Sequence, residues 1–202
     1  MILTLKKLSL ILLSLALAGC AAEQIAKRYY LLDQPGDEPD SLLFTQPLAY
    51  SVQVAPFDIN PAFNQTRIAL RSKSHELQFF YYHLWAERPA IAVRYFVYDK
   101  LIKYDLFETC QLQIGARAPD YFITGFIDQV ERLELRDHSA AHLKMTLELV
   151  QTSQNKKIIV HRIERTIPFK KGGGMNLFAA AISKALSEEV RIFAREIYDT
   201  LR

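Results

Sequence analysis

Leu17-Ala18-Gly19-Cys20 is the one short run whose residue types and order call for a covalent reaction. Two small residues ahead of a cysteine let a signal peptidase draw the backbone into a narrow site. The Cys20 sulfur then takes a diacylglycerol. The preceding residues agree with this reading. Lys6 and Lys7 give a positive n-region, and Leu8 to Leu17 gives an apolar h-region. That run is far shorter than the ~20 residues a membrane-spanning helix needs. Residues 1–19 are therefore expected to be removed as a lipoprotein signal peptide, leaving an acylated Cys20 as the new N-terminus. More than one acyl chain holds a protein on a membrane stably, at ~0.8 kcal/mol per buried methylene. Ala21 follows Cys20, and no Asp stands there, a pattern that in enterobacterial lipoproteins accompanies sorting to the outer membrane.

Other candidate chemistry is weaker. Asp137-His138-Ser139 has the residue types of a catalytic triad, but neighbours on an extended chain point to opposite faces and a triad must converge. The 5 histidines, His75, His83, His138, His142 and His161, do not share a helix turn. Pairing the 141–149 and 157–169 strands by their turn sets His142 opposite Arg165 and His161 opposite Thr146, which builds no metal site. Gly172-Gly173-Gly174 lacks the spaced second glycine and Lys-Ser/Thr of a phosphate loop, so a flexible lead-in to a helix is expected, with a hinge or partner-binding loop as the other use. Glu131/Glu134 and Glu188/Glu189 read as solvated carboxylates. Cys110 sits in an apolar-alternating stretch and, with Cys20 acylated, reads as a buried free thiol. No catalytic residue, no metal and no cofactor beyond the lipid on Cys20 is expected.

The Phe79-Phe80-Tyr81-Tyr82-His83-Leu84-Trp85 run puts rings on both faces of a strand. One face can be core. The other needs a covering helix, a subunit interface or lipid. Phe80, Tyr82 and Trp85 are the candidates for partner contact.

The elements that must position these residues follow from periodicity. Tyr29 to Leu32 can dock as a short strand, and Gln34 to Asp40 is a polar turn-rich loop. Strands are expected at Tyr50–Val54, Thr66–Arg71 and Leu77–Leu84, the last two as a hairpin. Pro89 suits the first position of a helix reaching Tyr104, which carries two adjacent apolar stripes. Phe107–Ile114, Asp120–Leu135, Ala141–Leu149 and Lys157–Phe169 complete the strands. Along Asp120–Leu135 the apolar phase runs even at Phe122, Phe126 and Val130 and then odd, which predicts a bulge near Glu131. Asn176 can cap a last helix ending near Leu201, with Glu188, Glu189 and Glu196 on its wet side. The expected fold is an α+β sandwich. A mostly antiparallel or mixed sheet of about six or seven strands carries two long helices on one face. Residues 20–48 form the lipidated N-terminus and tether, and 49–202 a single domain.

Composition limits the function. The chain has 202 residues, 50% hydrophobic, 23% charged and 11% aromatic, which is globular. Its formal charge of +3 falls to about +1 once Lys6 and Lys7 leave, too little for a nucleic-acid coat. With 2 cysteines a disulfide-stapled scaffold is excluded.

An ordered series of motifs spans nearly all of the mature chain. Tyr29-Tyr30-Leu31-Leu32-Asp33 comes first, then Val54-Ala55-Pro56-Phe57, Pro61-Ala62-Phe63 and Arg67-Ile68-Ala69-Leu70-Arg71. Tyr81-Tyr82-His83-Leu84-Trp85-Ala86-Glu87-Arg88-Pro89 and Asp120-Tyr121-Phe122-Ile123-Thr124-Gly125 follow. The series resembles the ABC-type transport auxiliary lipoprotein family, with Leu70-Arg71 where that family's pattern reads Tyr-Arg. The resemblance implies an α/β sandwich and a non-enzymatic accessory of phospholipid transport. It implies as partners a mammalian-cell-entry (MCE) domain tunnel protein and inner-membrane ABC or permease components. The domain would be lipid-anchored at the outer membrane, face the periplasm and dock the far end of the tunnel. A homo-oligomeric ring is compatible with that place, and a nucleic-acid partner is not. The other readings are a lipoprotein regulator of a cell-envelope (peptidoglycan) enzyme and a lipid-binding carrier with an internal cavity.

Overall fold

The computed structural model describes residues 26–33, 44–73, 75–113, 115 and 117–202. Cys20 and the expected signal peptide lie outside the described residues. Among the described residues there are nine strands and two long helices. Strands β1 (Arg28–Tyr30), β2 (Leu48–Val54), β3 (Asp58–Ile59), β4 (Arg67–Lys73) and β5 (Glu76–Trp85) precede helix α1 (Pro89–Lys103). Strands β6 (Phe107–Gln111), β7 (Tyr121–Glu134), β8 (His138–Gln151) and β9 (Lys156–Lys170) precede helix α2 (Met175–Leu201). This is the mixed α+β arrangement read from the sequence, with β1 and the two-residue β3 extending the strand count.

β7 organises the sheet. One edge pairs antiparallel with β8, which pairs antiparallel with β9. The other edge takes β2, β3 and β4 in succession, all parallel to it. Beyond β2 lies β6, and beyond β4 lie β5 and then β1. β1 and β6 therefore sit at opposite ends of the strand order.

The core is one cluster between the sheet and both helices, which also touch each other. Leu143, Met145, Leu147 and Leu149 point from β8 into it, while His142, Lys144, Thr146 and Glu148 lie on the outer face. Two of the quoted motifs meet there. The Phe57 ring lies over Gly125, so close that a Cβ on Gly125 would come within 2.6 Å of it. Phe44, from the stretch read as tether, is buried and stacked on Tyr198.

Three local expectations are corrected. The β7 bulge falls at Asp128, between Ile127 and Gln129, and the phases are the reverse of those read from the sequence. Tyr121, Ile123 and Ile127 face the core before it, and Val130 and Arg132 after it. Phe122 and Phe126 misled because they are apolar residues on the outer face. The β8–β9 register also differs. Gln151 pairs with Lys156 and Val150 with Lys157, as the turn dictates, but a bulge next to Leu149 then shifts every later pair by one. His142 faces Thr166 rather than Arg165, and His161 faces Leu147 rather than Thr146. The shift aligns Ile159 and Ile163 with Leu149 and Met145 on the core face. Finally, Gly174, not Asn176, is the cap residue of α2, and no side chain caps it.

Candidate functional site

The aromatic run has an unusual place in the sheet. Arg67 of β4 pairs with Leu84, and Ala69 pairs with Phe79. Two steps along β4 thus answer five along β5, and the residues between are thrown out of that ladder as a bulge. Tyr81 and Tyr82 stand on it, 68% and 36% exposed, their rings edge to face at 4.8 Å. Phe80 is half-buried, its ring edge-on to His83 at 5.5 Å. Trp85 is 2% exposed and tilted against Phe178 of α2 at 5.5 Å. Of the three aromatic residues singled out for contact, Tyr82 reaches solvent and Phe80 does so in part. Trp85 has no outward-facing area to offer a partner. Tyr81, the most exposed ring of the run, was not singled out.

β1 binds beside this bulge. Arg28, Tyr29 and Tyr30 pair with His83, Leu84 and Trp85. The Tyr30 hydroxyl meets His83 Nδ1 at 2.8 Å, and the Ala86 N–H donates to the Tyr30 carbonyl at 2.8 Å. The Tyr-Tyr motif near the N-terminus is thereby stitched to the His-Leu-Trp-Ala motif.

A groove of about 400 Å³ opens next to it, walled by Arg28, Tyr30, Phe80, His83, Arg132 and the start of α2. Burial holds the His83 imidazole below its ordinary pKa, and the positive charges of Arg28 and Arg132 push it the same way. Arg132 is fixed. Its guanidinium binds Glu134 at 2.5 Å and the Gly173 carbonyl at 2.7 Å, and lies over the Phe169 ring. The groove's wall thus holds Arg28, a His83 kept below its ordinary pKa, and Arg132 tied to Glu134.

The remaining titratable clusters hold the fold together. His161 on β9 meets Glu189 at 2.9 Å and Glu196 at 3.1 Å, both on α2. Arg165 binds the other Glu189 oxygen at 2.7 Å and also pairs with Glu188. Glu189 is buried, contrary to its expected wet position, because it continues the Ile182–Ala185–Leu186 stripe at helical spacing. On the outer face, Arg71 Nε donates to the buried Glu131 at 3.0 Å. His142 spans Gln129 and Thr166 at 3.0 Å each. Burial is the main cause that lowers the His142 pKa. Glu131 and Glu164 oppose it, and Arg71 and Lys144 add to it. Ser139 Oγ donates to Glu134 and is contacted by Arg132, while His138 is exposed, so the Asp-His-Ser run does not converge. Burial pushes the Cys110 thiol up to about 12, far from a reactive thiolate. Among the described residues, no group of His, Cys, Asp or Glu could hold a metal ion. Also among them, no helix is long and apolar enough to cross a membrane.

Two kinds of known protein resemble the chain. The family model for the ABC-type transport auxiliary lipoprotein component matches residues 30–194. The crystal structure of protein XCC0632 from Xanthomonas campestris, assigned to DUF330, superposes with a TM-score of 0.73 at 16% identity. It covers 86% of this chain and 95% of its own. A crystal structure of an uncharacterized protein gives a TM-score of 0.58 at 12% identity, over 85% of this chain and 99% of that one. At such identities the likeness is one of fold. No curated protein matches.

Proposed function

Because the chain belongs to the family of ABC-type transport auxiliary lipoprotein components, we propose that it is a lipid-tethered, non-enzymatic accessory of an intermembrane phospholipid transporter. It serves that transporter from the outer membrane. The family match across 30–194 carries this reading. The residues support it through an acylatable Cys20 six positions before the first described residue.

Acylation confines the domain to one membrane surface. Confinement raises its effective concentration for a periplasm-spanning partner, so contacts of modest strength suffice. The proposed partner is an MCE-domain tunnel protein joined to ABC or permease components in the inner membrane. Its proposed contact is the outer face of β7–β8–β9. That face alternates charge and apolar surface, with the ion pair Lys144–Glu164 at 3.1 Å and with Phe126 and Val160 exposed. The open edges of β6 and β9 give copies of the chain a means of joining into a ring.

A photo-crosslinking amino acid at Phe126 or Val160, used in cells, tests the contact. An adduct with an MCE-domain protein is expected. Adducts only with a peptidoglycan synthase, or none at either position, would reject it.

A further inference from the structure

We propose that the Tyr29–Tyr81–Tyr82 edge, with Lys27 and Arg28, lies against the phospholipid surface that holds the Cys20 lipid and so fixes the domain's orientation. The inference rests on Cys20 being acylated, as proposed above, and adds a second, non-covalent membrane contact.

Chain length supplies the first argument. Six residue steps separate Cys20 from Ala26. A fully extended chain spans at most ~3.5 Å per residue, so the Ala26 Cα stays within about 21 Å of the Cys20 Cα. The chain enters the fold at β1, an edge strand parallel to β5. Continued back from Arg28↔His83, that register brings Lys27 beside Tyr82 and Ala26 beside Tyr81. The most exposed rings of the aromatic run thus stand where the tether arrives.

Residue chemistry supplies the second. Tyr29 is 62% exposed and Tyr81 68%, too open for core residues. Tyrosine has an apolar ring and a polar tip, and it concentrates at the membrane–water boundary for that reason. Lys27 and Arg28 are exposed beside them, placed to meet lipid phosphates. The groove opens on the same edge through Arg28 and Phe80, and because Arg132 within it is paired to Glu134, Arg28 gives it its net positive charge. The β5 bulge lifts Tyr81 and Tyr82 clear of the β4 ladder, so the rings can enter the headgroup layer without disturbing the sheet. Because the anchor keeps this edge near the bilayer, even weak partition of three rings orients the domain.

The test uses the full chain, matured in cells and reconstituted into phosphatidylethanolamine/phosphatidylglycerol vesicles, part of whose acyl chains are brominated. Tyr81→Trp is the reporter. The native Trp85, buried in the core, is the internal control, and Ile102→Trp, beside β6 at the other end of the strand order, is the remote control. Flotation of each protein with the vesicles is measured first. Protein that floats, with loss of Tyr81→Trp emission and none for Ile102→Trp, is the expected result. Protein that floats with both reporters unquenched, or both quenched equally, overturns the oriented contact and leaves the lipid anchor standing. Failure to float overturns the anchor and the contact together. An unquenched Tyr81→Trp, together with a photo-crosslinking amino acid at position 81 that joins to a transport protein in cells, gives this edge to a protein partner and rejects the proposal.

Discussion

Replacing Gly125 by alanine tests how the core is built where two of the quoted motifs meet. A Cβ at Gly125 would lie 2.6 to 2.8 Å from three atoms of the Phe57 ring, against 3.4–4 Å for an ordinary contact. The ring must therefore retreat by most of an ångström, and it is buried in the central cluster. Overpacking of this kind costs ~1–3 kcal/mol. The reduced backbone freedom of alanine in a strand returns ~0.5–1 kcal/mol, so a net loss of about 1–2 kcal/mol is expected. Phe57→Ala alone should cost ~3–5 kcal/mol through the cavity it leaves. With Phe57 removed the clash disappears, and the added methyl fills part of the cavity. Gly125→Ala should then become neutral or stabilising, a change of sign between the two backgrounds. Urea unfolding read by Trp85 emission measures all four proteins, since Trp85 is the only tryptophan and is buried against Phe178. An equal cost of Gly125→Ala with and without Phe57 would refute the packing argument.

Glu189→Ala should destabilise the domain by ~1–3 kcal/mol, as His161 and Arg165 each lose a bond beneath α2. The loss is kept moderate because Glu196 and Glu188 remain as partners, and urea midpoints measure it. Acidification should also destabilise the fold through His142. Burial lowers its folded pKa, so below the ordinary imidazole value of ~6.5 the unfolded chain takes up more protons and stability falls. His142→Gln should flatten the urea midpoint against pH over that range, and an unchanged slope would contradict this. The Cys110 thiol, raised from 9.0 to about 12, should alkylate about a thousandfold more slowly in the native state than after unfolding. Timed mass spectrometry with iodoacetamide follows the reaction.

Much of the fold is legible in the residues because its periods are clean. Leu143 to Leu149 alternate without exception, and both long helices lie within a few residues of their expected bounds. Registers were harder, since a bulge adds one residue without altering composition. The turn at 152–155 fixes only the first pairs of β8 and β9, and the bulge beside Leu149 resets the rest. Burial of single charges was harder still. Glu189 was legible in principle from its place in the α2 stripe, whereas Glu131 is buried by the arrangement of β4, β7 and β8, which no local pattern contains. At the aromatic run the sequence gives the rings but not their directions. Those depend on how many β5 residues answer each step of β4.

The central claim, a lipid-tethered accessory of a transporter, is tested most directly by extracting the protein from membranes in mild detergent. What accompanies it is identified by mass spectrometry, with Cys20→Ala run in parallel. Co-purification of MCE-domain or permease proteins, weakened or lost in Cys20→Ala, is the result expected. Recovery with a peptidoglycan synthase alone, or without transport components in either form, would contradict the account.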